Sequence, residues 1–338
     1  MPVFKKAIFI ILVNLMCLNL KAQNCYSFYK LRLSATDTSF AKIENAFNKA
    51  IKKNKNEACL YAERSLLYRK FLKFDLALND VNKAIKLQPE KYLFYEDKVD
   101  LLLEIDSMAS VKDLINTMMI MDSSIPNAYV FKGKYFLHLD SLEKAFEAFN
   151  KAITIYESNH ANCCLMCECY RARGRLNFAF HKFDDAISDF TKAMKMVRVS
   201  KRDKYYLLRA NAYIAKDDLI NANKDIDTAI KLKPDSFTLA FFYALKNDTL
   251  KLNSIIPYLL DKKINTEKQE YIKLYNISCL YAITNQTDKA FEFLEKSLNA
   301  GYKNFNWIQI DYDMKNISKL PKFNELLQQY RKHTKSDE

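Results

Sequence analysis

Four cysteines fall within seven positions of the stretch NHANCCLMCECYRARG (159–174): Cys163, Cys164, Cys167 and Cys169, with His160 close by. Thiols at this density can ligate a tetrahedral metal, close a disulfide or shuttle electrons. Cys164-Leu-Met-Cys167 forms a C-x-x-C pair. No second pair stands at zinc-ribbon spacing, and no βαβ setting for a thioredoxin-like site is visible. Other reactive patterns are missing: the sequence has no G-x-x-x-x-G-K-[ST], H-E-x-x-H, G-x-S-x-G or G-x-G-x-x-G. His138, His160, His181 and His333 are scattered along the chain. The acidic pairs Asp184-Asp185 and Asp217-Asp218 read as helix-start residues rather than as an acid and base. No catalytic residue, metal or cofactor is therefore expected.

What would position such residues is set by composition. Only 3 glycines and 6 prolines occur in 338 residues. Sheets with tight turns and phosphate-cradling loops need positive φ, so scarce glycine argues against both and for an all-helical chain. The net charge of +13 permits anionic partners. MPVFKK, then the apolar run AIFIILVNLMCLNL, then Lys-Ala-Gln read as a signal peptide over 1–22, cleaved after Ala22. The run is shorter than the ~20 residues that a membrane span needs. Ala22-Gln23-Asn24 is a poor approach to lipidation at Cys25. The expected location is periplasmic or extracellular, with envelope association open, and nucleic acid is not an expected partner. Seven cysteines remain after cleavage, an odd count in a compartment that permits disulfides.

A period of 34 organises the rest. FDLALNDVNKAIKLQP (74–89) aligns with LINANKDIDTAIKLKP (219–234), SLEKAFEAFNKAITIY (141–156) and KFDDAISDFTKAMKMV (182–197). The anchors Ile43, Ala77, Val111, Ala145, Ala186, Ala222, Ile256 and Ala290 are separated by 34, 34, 34, 41, 36, 34 and 34 residues. An early aromatic recurs at Tyr61, Tyr95, Tyr129, Tyr170 and Tyr206. A small residue four later recurs at Ser65, Val99, Gly133, Gly174, Ala210, Ala244 and Ser278. Close approach of paired helices requires a small side chain there.

This pattern resembles the tetratricopeptide repeat family, whose unit is a helix–turn–helix of ~34 residues. The resemblance implies an all-α, right-handed superhelical solenoid of about eight repeats, near 24–57, 58–91, 92–125, 126–159, 167–200, 203–236, 237–270 and 271–304. Residues 305–338 form a cap and tail. Ala300, Gly301, Tyr302, Trp307, Asp311, Asp313, Pro321 and Phe323 resemble the closing segment of bacterial arrays of this family. Trp307 and the Asp pair then cover the last repeat. Departures are the missing early aromatic of the first repeat and Pro257 inside a second helix.

The repeat frame gives the cysteines faces. The 41-residue step adds about two helical turns. The cluster is expected on an extension at the start of the first helix of the fifth repeat. Cys163 and Cys167 then share the packing face with Tyr170, Cys164 joins Glu168, Arg171 and Arg175, and Cys169 points elsewhere. Sulfurs so spread do not converge on zinc. Packed thiols, a disulfide, and metal or redox work all stay open, in that order of preference.

Two functions fit. In the first, an exported adaptor holds a peptide or protein segment in its concave groove. In the second, a scaffold of the cell envelope uses its convex face and ends. The family's groove positions fall on Leu93, Glu96, Asp100 and Leu103; Asn127, Val130, Lys134 and Leu137; Glu168, Arg171, Arg175 and Phe178; and Lys204, Leu207, Asn211 and Ile214. The resemblance thus implies an acidic start at Glu96 and Asp100, then a basic peptide-binding surface of Lys134, Arg171, Arg175, Lys204 and Asn211. That surface suits an acidic or C-terminal segment. The plainer alternative is that these charges only solvate the groove. Val130 and Lys134 replace the Lys and Asn of the family's chaperone-tail clamp, so that ligand is not expected.

Overall fold

The computed structural model describes residues 26–159, 165–261 and 267–335. The signal-peptide reading, Cys25, His160, Cys163 and Cys164 lie outside them. Every regular element among the described residues is helical. Two compact units divide the chain, 1–123 and 124–338.

The first unit contains α1 (26–33), α2 (Phe40–Lys53), α3 (Ala58–Lys70), α4 (Phe74–Leu87), α5 (Tyr92–Glu104) and α6 (Met108–Met121). The second contains α7 (Asn127–His138), α8 (Leu142–Asn159), α9 (Met166–Ala179), α10 (Phe183–Lys195), α11 (Asp203–Ala215), α12 (Leu219–Lys231), α13 (Ser236–Leu245), α14 (Thr249–Asp261), α15 (Glu267–Ile283) and α16 (Thr287–Asn299). The short α17 (Phe305–Ile310) and α18 (Pro321–Lys335) follow. Each sequence repeat encloses one helix pair.

Within a pair, the small residue of the first helix meets the second helix. Ser65 Oγ donates to the Ala77 carbonyl at 2.7 Å, and Ser278 Oγ to that of Ala290 at 2.6 Å. A Cβ on Gly174 would come within 2.7 Å of the Phe190 ring, and one on Gly133 would overlap Phe149. The second helices are amphipathic, and the anchors Ala77, Ala145, Ala186 and Ala290 are fully buried.

The turns between paired helices take positive φ without glycine. Leu72, Asp106, Asp140, His181, Asp217, Asn247 and Asn285 all take positive φ, between 52° and 60°. After each, the N–H of the next residue bonds the carbonyl five positions earlier, as Lys73 does to Tyr68 (2.9 Å) and Ser141 to Phe136 (2.8 Å). This is the helix-ending motif that usually employs glycine. Asp and Asn tolerate the left-handed conformation best, so the chain makes these turns without glycine. Asp184 and Asp185 lie in the first turn of α10, whereas Asp218 caps α12 by accepting from the Asn221 N–H at 3.1 Å.

Three repeats share a buried clamp. Arg64, Arg173 and Arg209 each grip the Asp sixteen residues later on the paired helix, Asp80, Asp189 and Asp225, through Nε and Nη2 at 2.6–2.9 Å. Nη1 of each donates to the preceding helix pair: to Asn48 at 2.5 Å, Asn150 at 2.9 Å and Thr191 at 2.9 Å. One guanidinium thus ties three helices. All three acids are buried. Burial pushes the Asp80 carboxyl up, against the pull of Arg64. Removing Arg173 strands Asp189, which is 1% exposed. Arg173→Ala should therefore cost about 3–5 kcal/mol, read as a lower urea midpoint; an unchanged midpoint would show that the clamp is dispensable.

Candidate functional site

First helices line the groove face of each compact unit, and the two units treat that face differently. In the second unit it is occupied by the chain's own cap. Asp140, at the α7–α8 turn, accepts the Asn306 N–H at 2.5 Å and the Trp307 N–H at 3.1 Å. The Trp307 ring lies under the Arg175 guanidinium, 4.5 Å from its centroid. Tyr312 packs edge-on against Phe178 at 5.0 Å and Phe183 at 5.9 Å. Asn211 Nδ2 donates to Asp313 at 2.8 Å. Asp311 accepts from Tyr275 Oη at 2.8 Å and Trp307 Nε1 at 2.9 Å. The segment therefore does more than cover the last repeat. It reaches back to the fourth, fifth and sixth.

The five expected groove residues divide accordingly. Arg175 and Asn211 hold the cap. Lys134 pairs with Glu168 at 3.0 Å and Lys204 with Asp235 at 3.2 Å. Arg171 is half-buried on the same face of α9. The surface is thus largely neutralised from within the chain, which the positions in sequence did not disclose.

Cys279 Sγ and carboxylate oxygens of Asp311 and Asp313 lie within 4.8 Å of one another. This is the one group among the described residues with the makings of a metal site. Its carboxylates, however, already accept from Tyr275, Trp307 and Asn211, and Arg175 lies near. Burial, then the two Asp charges, push the Cys279 thiol well up, so it stays protonated. A buried thiol and carboxylates already hydrogen-bonded within the chain are poor ligands, and we assign no metal here. Burial beside Asp311 likewise raises Asp313 to about 7.

The cysteine cluster needs two corrections. The inserted residues lengthen α8, which runs to Asn159, rather than the start of α9, which begins at Met166. Cys169, not Cys167, takes the packing face: it is fully buried, with Sγ 3.7 Å from the Phe149 carbonyl oxygen, while Cys167 is half-buried. The packing face of α9 runs through Met166, Tyr170 and Asn177, so Cys167 lies beyond its edge and spacing from Tyr170 alone misassigns the two faces. Cys167, Cys169 and Cys279 are not in disulfides, whereas Cys59 is in one whose other half lies outside the described residues.

Among the described residues, nothing fills the groove face of the first unit. A cavity of about 440 Å³ is lined from α1, α3 and α5 by Tyr29, Arg32, Glu63, Leu66, Leu93 and Asp97. Arg32 pairs with Glu63 across it at 2.7 Å. Leu93 is exposed. Of these, sequence reasoning had named only Leu93. The clamp was also missed, although an Arg at the seventh position of a repeat with Asp sixteen later is a readable signal.

These features define a helix–turn–helix repeat protein with side-chain-lined groove faces. The tetratricopeptide repeat family model matches residues 126–159, 203–236 and 274–300. The fold is similar to a chain in the crystal structure of the APC/C hetero-tetramer Cut9–Hcn1, with TM-score 0.56 and 15% identity over 90% of this chain and 62% of that one. It is also similar to a tetratricopeptide repeat protein from Parabacteroides merdae (TM-score 0.45, 14% identity, 91% and 99% covered) and to YrrB, described as a TPR protein with an unusual peptide-binding site (TM-score 0.38, 19% identity, 57% and 95%). The chain carries tetratricopeptide repeats. Such repeats typically serve as protein-interaction scaffolds rather than catalysts. Among the described residues, no helix is long and apolar enough to cross a membrane.

The cap contacts separate the two arginines experimentally. Arg175→Glu puts a carboxylate beside Trp307 and near Asp311 and Asp313, so the thermal midpoint should fall by several degrees. Arg171→Glu, away from the cap, should lower it less. Equal midpoints for the two variants would show that the cap does not depend on Arg175.

Proposed function

We propose that this chain is an exported adaptor that holds a segment of a partner protein against the groove face of its first compact unit. The carrying observation is the contrast between the two faces: nothing among the described residues fills the cavity of the first, while the second is filled by Trp307, Tyr312 and Asp313. Apolar lining with a few polar groups is the usual make-up of a recognition pocket. Export rests on the basic start, the apolar run and Ala22, and is supported by the disulfide at Cys59, since such bonds persist in oxidising compartments. Intact-mass analysis of protein from its native host should give a chain beginning at Gln23. Retention of residues 1–22, or a lipid mass on Cys25, would overturn the export reading.

A second reading keeps the acidic or C-terminal segment for the second unit. It is favoured by the cap itself, whose aromatic rings and carboxylates sit on Phe178, Arg175 and Asn211. A partner of like chemistry would compete with the cap, with Arg171 adding charge.

Site-specific photocrosslinking separates groove from scaffold. A crosslinker at Leu66 or Leu93 should capture the partner in the native host. A crosslinker at Ile120 or Ile220, exposed on second helices, should not. Capture from the second-helix positions alone would favour the envelope scaffold.

A further inference from the structure

Asp97 stands out within the first-unit cavity. It projects from α5 into the space lined by Leu66 and Leu93. Among the described residues no hydrogen bond or ion pair reaches its carboxylate, although the cations nearby are committed elsewhere: Arg32 to Glu63 at 2.7 Å, and Arg69 to Glu104 at 2.6 Å. The charges around it are mostly of its own sign: Asp100 and Glu96 on α5 and Glu63 on α3, opposed by Arg69 on α3. Lys91, before α5, is exposed at the cavity rim. The neighbouring position shows what is missing. Where other repeats place the clamping Arg, this one has Lys98, and sixteen residues on stands Leu114 instead of Asp.

A half-buried carboxylate with like charges around it and no hydrogen-bond or ion-pair partner among the described residues costs stability. Such a group is what a cationic ligand would satisfy. We infer that the first-unit cavity takes a basic side chain, Lys or Arg, from a partner segment, with Asp97 as its counter-ion and Leu66 and Leu93 flanking the aliphatic stem. This rests on the groove reading above and specifies its partner as a basic segment. The long apolar stem with a charged end suits a cavity where, among the described residues, Leu66 and Leu93 stand beside an acid that no cation pairs.

The protonation of Asp97 follows. Burial, then Asp100, Glu96 and Glu63, raise it to about 7. Its folded value exceeds the ordinary carboxylate value near 4. Its contribution to stability is therefore present at low pH and is lost as pH climbs to about 7. An arriving cation favours the ionised form. Binding should thus strengthen from pH 6 to pH 8, by up to about tenfold for one proton released.

Fluorescence anisotropy with three labelled, acetylated 12-residue peptides tests this. Each is a Ser-Leu repeat carrying one central Lys, Gln or Glu. The Lys peptide should bind at least tenfold more tightly than the Gln peptide at pH 8, less so at pH 6, and the Glu peptide most weakly. Asp97→Asn should erase the preference for Lys. It should also raise the thermal midpoint at pH 8 more than at pH 5, which a folding defect would not do. Equal binding of the Lys and Gln peptides would overturn the basic-segment inference and leave the groove reading standing, as would a Lys preference that survives Asp97→Asn. If none of the three binds, both readings fail.

Discussion

Everything in this protein depends on how closely the two helices of a repeat can approach. A single small residue on the first helix sets that distance. Gly174 faces the Phe190 ring with no room for a Cβ, and Ser65 and Ser278 use their hydroxyls to bond carbonyls of the opposing helix. With the second helix drawn in here, its apolar stripe is buried and the opposite side of the first helix is released to form a surface. Repeats stabilise one another through nearest neighbours, so this contact propagates along each unit.

The Arg–Asp clamps add register rather than bulk stability. A buried ion pair recovers little beyond its desolvation cost, but breaking it is expensive. Because one guanidinium reaches an acid within its repeat and a polar group on the preceding one, a slipped packing would strand two charges and a neutral polar group across three helices. In the 92–125 repeat this device is absent. Lys98 is pushed down by burial, and Asp97, next to it, is raised. The place where the repeat's own electrostatics are left open coincides with the cavity.

The cap has a different character from the repeats. Its contacts are aromatic and carboxylate groups laid on cationic, amide and aromatic side chains of first helices. That is the chemistry expected of a bound segment, supplied here from within the chain. The cysteines that invite a reactive interpretation serve packing where they are described: Cys169 fills space against α8, and Cys279 lies protonated under the cap.

The sequence by itself determined the repeat, because a 34-residue period of small, aromatic and alanine positions is the direct imprint of helices packing at fixed spacing. It determined an all-helical chain and located the helix pairs. It did not disclose the turns, where Asp, Asn, His and Leu take the positive φ that glycine normally supplies. It misjudged the faces of Cys167 and Cys169, because the packing face of α9 runs through Met166, Tyr170 and Asn177 rather than through Cys167. Tertiary structure alone decided which groove residues are engaged. Asn211 and Asp313 are 102 positions apart, and nothing in local spacing brings a C-terminal Trp beneath Arg175. Asp97 likewise reads in sequence as one acid among several. Only the packing of α1, α3 and α5 places it, half-buried, on the cavity wall beside Leu66 and Leu93.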